Sequence, residues 1–115
     1  MQSSQSPELV PMINITRDEE GYLLHLFEWN TDVARDIAEE EGITLTESHW
    51  EIISHLRTFY SQFGISPAMR PLTKYMKEKI SKETISSIYL LQLFPGSPAK
   101  LAAKIAGLPK PDNCL

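Results

Sequence analysis

Glycine and proline cut this chain at intervals that leave room for short helices only. Asn30, Thr31 or Asp32 can cap a helix in which Val33/Ile37 and Ala34/Ala38 recur at spacing four, and Gly42 ends it. Thr46 caps the next, with Leu45 and Trp50 at the two positions of a hydrophobic staple. Its stripe of Trp50, Ile53, Leu56, Tyr60 and Phe63, widened by Ile52 and Phe59, has helical period and stops at Gly64. Ser66-Pro67 and Ser97-Pro98 both read as an N-cap followed by proline at the first helical position. Pro71 would break the backbone ladder of a helix begun at Pro67, so that helix either starts near Arg70 or bends there. A short helix is expected from Ile85 to Leu93, stopped by Pro95-Gly96. The last runs from Pro98 to Ala106, with Gly107 as its left-handed stop and Pro109 soon after.

Ahead of the helices, Met12-Ile13-Asn14-Ile15-Thr16 alternates apolar and polar, and Asp18-Glu19-Glu20-Gly21 reads as a turn before Tyr22-Leu23-Leu24. The expected architecture is therefore α+β and mostly α. It comprises a small N-terminal β-hairpin and a bundle of crossing helices with a helix-turn-helix-like layout. Residues 1–12 read as a flexible tail, 13–106 as one globular domain and 107–115 as a mobile C-terminal arm. At 115 residues, 42% hydrophobic and 23% charged, the chain suffices for one modest core. No apolar run is long enough to span a membrane, and the N-terminus lacks the basic start and apolar core of a signal peptide. The expected compartment is the cytoplasm, and the expected state outside complexes is a monomer.

Net charge of −4 conceals a division along the chain. Residues 1–57 carry twelve acids against three arginines, a net of −9; residues 58–115 carry eight bases against three acids, a net of +5. Lys74, Lys77, Lys79 and Lys82 read mainly as a solvated face. Arg70, Lys100 and Lys104 are better candidates for function, because they sit near helix starts or beside the arm.

The single cysteine, Cys114, is the penultimate residue of a tail stiffened by Pro109 and Pro111. Termini are the least packed part of most domains, and this tail can neither continue a helix nor join a central strand. Cys114 stands seven positions beyond Gly107, a reach of roughly 20 Å in polyproline-like chain. A thiol on such an arm can enter another protein's active site. With no second thiol it can hold one sulfur as a persulfide or form a mixed disulfide, but it cannot close an internal disulfide. Nothing else in the chain has the pattern of a reaction centre. His49 and His55 are six apart and His25 is distant, so no metal-ligand spacing exists. His49, at the third position of its helix, reads as a surface or capping residue, and Glu39-Glu40-Glu41 as a solvated helix end. No phosphate-binding glycine loop or nucleophile elbow is present.

The tail Lys104-Ile105-Ala106-Gly107-Leu108-Pro109-Lys110-Pro111 with penultimate Cys114 resembles the C-terminal arm of the DsrC/TusE family. In order along the chain, further segments look like that family. These are Asp18-Glu19-Glu20-Gly21-Tyr22-Leu23, Leu45 to Ile53, Ile65-Ser66-Pro67-Ala68-Met69-Arg70, Tyr89-Leu90 with Leu93-Phe94-Pro95, and Ser97-Pro98-Ala99-Lys100. Members that work with dissimilatory sulfite reductase carry a second cysteine eleven residues before the terminal one, and here that position is Ala103. The resemblance thus points to the single-cysteine, TusE-like branch. It implies a sulfurtransferase that accepts a persulfide sulfur on Cys114 from an upstream TusBCD-like relay complex and passes it to a tRNA 2-thiouridylase. The only cofactor implied is the transient cysteine persulfide, and any tRNA contact is indirect or transient. Arg70, Lys100, Lys104, Gly107, Pro109, Lys110 and Pro111 are the residues expected to support the arm or meet a partner.

Two other readings stand beside it. One is a helix-turn-helix nucleic-acid binder, since Thr46 to Phe63, a short link and a basic helix ending near Lys82 have roughly the required layout. That helix offers lysines rather than a set of base-reading side chains, and the reading leaves the cysteine arm unexplained. The other is a DsrC-like accessory of sulfite reductase or sulfur metabolism.

Overall fold

The computed structural model describes residues 15–112. Among these residues a 3-10 turn at Leu26–Glu28 precedes five α-helices: α1 (Thr31–Glu40), α2 (Glu47–Phe63), α3 (Met69–Lys79), α4 (Ser87–Leu93) and α5 (Pro98–Ile105). Helix α5 packs against each of the other four, although it is only eight residues long. Its composition explains how. Ala99, Ala102 and Ala103 lie buried with Ile105, and side chains this small let four neighbours approach one short rod. Around it the core gathers Val33 and Ile37 of α1, Ile52, Ile53 and Leu56 of α2, Leu72 and Met76 of α3, and Leu90 and Phe94 from the α4 end.

Most helix ends fall where the chain's punctuation places them. The Asn30 side chain accepts a hydrogen bond from the Val33 N–H at 2.9 Å, and the Ser86 hydroxyl accepts from the Tyr89 N–H at 3.0 Å. Gly64 ends α2 in the left-handed conformation, φ 73°. Helix α3 starts at Met69, which puts Pro71 at the third helical position, where its missing N–H has no intrahelical partner to lose. Ser66 is therefore not the cap its sequence context predicts. Ala68 takes that place, and the Ser66 hydroxyl is used elsewhere.

The expected N-terminal β-hairpin is not present among the described residues. A single antiparallel bridge, Arg17 with Leu23, closes a tight turn at Asp18–Gly21, and no strand follows because the chain passes into the 3-10 turn after His25. The turn is held by its own polar groups: the Asp18 carboxylate accepts from the backbone N–H of Glu20 and of Tyr22, both at 2.9 Å. Ile15 and Thr16 belong to the expected first strand, whose earlier residues, like the tail 1–12, lie outside the described residues.

His49 meets the capping half of its expectation and not the surface half. It caps, but it is buried, at 6% exposure. Its Nδ1 accepts from the Thr46 N–H at 3.1 Å, which leaves Nε2–H to donate to the Leu93 carbonyl at 2.7 Å. The imidazole also meets Phe94 edge-on at 5.1 Å between ring centres. One side chain thus caps α2 and ties it to the end of α4. His49→Ala removes both bonds and leaves a part-buried carbonyl without its donor, an expected loss of about 1–3 kcal/mol. Urea unfolding of the two proteins measures it, and a change under about 0.5 kcal/mol would show that water replaces the ring.

Candidate functional site: the root of the cysteine arm

The final helix closes with two hydrogen bonds of a Schellman stop: the Gly107 N–H donates to the Lys104 carbonyl at 3.1 Å and the Leu108 N–H to the Ala103 carbonyl at 2.9 Å. Gly107 is left-handed, φ 75°. This turn sends the chain back over α5 instead of away from it, and Leu108 is buried at 2% exposure against the core cluster that contains Ala103. The following residues stay on the body. The Ser66 hydroxyl donates to the Pro109 carbonyl at 2.5 Å, Lys110 pairs with Glu20 at 3.1 Å, and Pro111 is buried. The arm expected to leave the body at Gly107 is therefore packed through Pro111, because one left-handed turn and one apolar side chain direct it inward. Cys114 lies outside the described residues. One residue, Asn113, separates it from Asp112, a span of at most about 7 Å of extended chain.

Two side chains that the sequence reading passed over hold the root of this segment. The Trp29 indole N–H donates to the Ile105 carbonyl at 2.8 Å, and Arg57 donates to the Ala106 carbonyl at 2.6 Å. The Arg57 guanidinium lies over the Trp29 ring at 3.9 Å from its centre. Burial pulls its pKa below the ordinary arginine value, yet no carboxylate pairs with it among the described residues. Its charge faces the carbonyl end of α5 and the face of an indole. Trp29 also covers Gly107 so closely that a Cβ there would meet the indole at 2.3 Å. Trp29 precedes the Asn30 cap and Arg57 is the one arginine of α2, positions that read as ordinary; their partners lie 76 and 49 residues away along the chain.

Of the basic candidates, Lys100, Lys104 and Lys110 share one groove of about 430 Å³ with Tyr22, Glu20 and Glu41. Lys104 pairs with Glu41 at 3.1 Å, and the backbone carbonyl of Lys100 accepts from the Tyr22 hydroxyl at 3.2 Å. The acidic end of α1 is accordingly not a purely solvated run. Arg17 grips Glu40 through two bonds, at 2.9 and 3.0 Å, and the guanidinium holds that carboxyl below its usual pKa. Arg70 is not brought to the arm. It is exposed and lines a separate groove of about 630 Å³ with Lys74, Lys77 and Lys82. No group of three metal-ligating side chains occurs among the described residues, and none of their helices is long and apolar enough to cross a membrane.

Over residues 10–115 the chain matches the family described as DsrC like protein. The chain belongs to the DsrC-like family. It is 52% identical over 103 residues to a protein of Haemophilus influenzae named "Sulfurtransferase TusE homolog", covering 90% of this chain and 94% of that one. It is 49% identical to "Sulfurtransferase TusE" of Buchnera aphidicola, over 89% of this chain and 90% of the relative. Among solved structures it is similar to Allochromatium vinosum DsrC, with TM-score 0.81 and 48% identity over 88% and 90% of the two chains. The oxidised gamma-subunit of dissimilatory sulfite reductase from Archaeoglobus fulgidus superposes with TM-score 0.75 at 39% identity, over 88% and 92%. The mostly helical fold described above matches these structures.

Proposed function

We propose that this protein is a sulfurtransferase of the TusE type, a carrier that receives sulfur as a persulfide on Cys114 and hands it on for thiolation of the wobble uridine of tRNA. One observation carries the choice within the family: Cys114 is the only thiol, and the position where two-cysteine relatives place a second is the fully buried Ala103. A chain with one thiol can relay sulfur but cannot cycle between dithiol and disulfide by itself, which disfavours the role of a sulfite-reductase accessory. The names of the TusE relatives support the same reading.

The chemistry needs no metal or organic cofactor. The Cys114 thiolate attacks the outer sulfur of a donor persulfide, the donor's S–S bond breaks, and its electron pair leaves on the donor thiolate, giving Cys114–S–SH. In the second half an acceptor thiolate attacks that outer sulfur and Cys114 departs as thiolate. Each step exchanges one S–S bond for another, so no external oxidant or reductant enters. The donor is a TusBCD-like complex, the acceptor a tRNA 2-thiouridylase, and the setting a reducing cytoplasm. Lys100 and Arg70 offer positive charge to those partners from two separate grooves, while Lys104 and Lys110 hold Glu41 and Glu20 beside the arm. The helix-turn-helix reading is not favoured, because it assigns no role to the arm.

Reconstitution tests the reading. Purified protein incubated with a persulfide-loaded upstream complex, the thiouridylase and unmodified tRNA is expected to raise 2-thiouridine several-fold over the same mixture without it, read by nucleoside mass spectrometry. No stimulation, with Cys114 unmodified throughout, would overturn the proposal.

A further inference from the structure

Resting on the carrier reading, we infer that Trp29 and Arg57 are positioning residues for sulfur transfer: a clamp on the last carbonyls of α5 that sets the direction in which the cysteine segment is presented to a donor protein. The last carbonyls of a helix have no intrahelical donor, and at a buried end, as at the fully buried Ile105 and Ala106, other groups must supply one. Here two donors from separate elements are spent on consecutive carbonyls, Ile105 and Ala106, immediately before the turn into the arm. Arg57 is kept partly buried without a carboxylate partner among the described residues, so its charge is met by the Ala106 carbonyl and the Trp29 ring. Its guanidinium lies over the same indole that closes over Gly107, so carbonyls, turn and ring are joined in one continuous set of contacts. Because α5 touches every other helix, this unit is referenced to the whole body.

Sulfur transfer between two proteins requires the attacking thiolate, the outer sulfur and the leaving sulfur to come into line. Misplacement by about 1 Å is enough to cost up to ~100-fold in rate. A small diffusible sulfur source imposes no such demand. With tetrasulfide, the Cys114 thiolate takes one terminal sulfur and trisulfide leaves, whatever direction the arm points. The two sources therefore separate direction from thiol reactivity.

The experiment compares wild type with Arg57→Gln, Arg57→Lys and Trp29→Phe. Single-turnover loading of Cys114 is followed by intact mass, from a persulfide-loaded upstream complex over a range of concentrations and, separately, from sodium tetrasulfide. Arg57→Gln is expected to lower the limiting rate from the protein donor about tenfold or more, with the half-saturating concentration and the tetrasulfide rate within about twofold of wild type. Arg57→Lys, whose ammonium can still donate to the Ala106 carbonyl, should recover much of that loss. Trp29→Phe keeps a ring face but loses the indole N–H, and should fall between. The two conservative variants carry the test should Arg57→Gln fail to fold. Equal losses from both sources would assign Arg57 to the thiol's reactivity, and a raised half-saturating concentration at unchanged limiting rate would assign it to docking; either overturns the clamp, as does no loss at all. A wild type that loads from neither source overturns the carrier reading itself, and is distinguishable because it does not depend on the variants.

Discussion

Cys114→Ser is expected to remain at its unmodified mass after exposure to any persulfide donor, while wild type gains about 32 Da, the mass of one sulfur atom. The effect should be all or none. The chain has no second thiol to take over, and a serine hydroxyl is not appreciably ionised near neutral pH, so it cannot displace a thiolate from a persulfide. In the reconstituted relay the same variant should reduce 2-thiouridine to the level seen without the protein. An adduct of that mass persisting on the serine variant would show that sulfur enters elsewhere, and the assignment of Cys114 would fall.

Gly107→Ala is expected to be among the most destabilising single-methyl additions in the molecule. Two costs coincide there. A left-handed backbone at φ 75° disfavours any residue with a Cβ, by about 1 kcal/mol. The added Cβ would also stand 2.3 Å from the Trp29 ring, so the indole must move, breaking its bond to Ile105 and its stack on Arg57. Overpacking of that kind adds about 1–3 kcal/mol. Together these lower the midpoint of thermal unfolding by roughly 10 °C for a chain of this size. Gly64→Ala is the control, since it has a similar φ of 73° but open space around the position, and should show the backbone cost alone. If the two variants lose equally, Trp29 is not pressed on Gly107 as described.

These two glycines also separate what is local from what is not. The stops at Gly42, Gly64 and Gly107, the caps at Asn30 and Thr46, and the proline start of α5 depend on residues within one helical turn of each other. That is why they are legible in the sequence. Pro71 is of the same kind: a proline tolerated only in a first turn places the helix start near Arg70, and the helix begins one residue earlier. Among the described residues the β-hairpin is missing for the complementary reason. Alternation over five residues proposes a strand, but a strand needs a partner with matching hydrogen bonds. Here the 3-10 turn at Leu26–Glu28 diverts the chain after one bridge.

The sequence by itself determined the helices, the lone penultimate thiol and, through the wording of the tail, the family. It could not determine what the tail does after Gly107, because Leu108, Pro109 and Lys110 find their partners in Ala103, Ser66 and Glu20, the last of these 90 residues away. Nor could it distinguish Trp29 and Arg57 from any other aromatic and any other arginine. Their role arises only when the ends of α5, α2 and the segment before α1 meet, since a hydrogen bond to a helix's last carbonyls is set by distance in space and leaves no period or spacing along the chain.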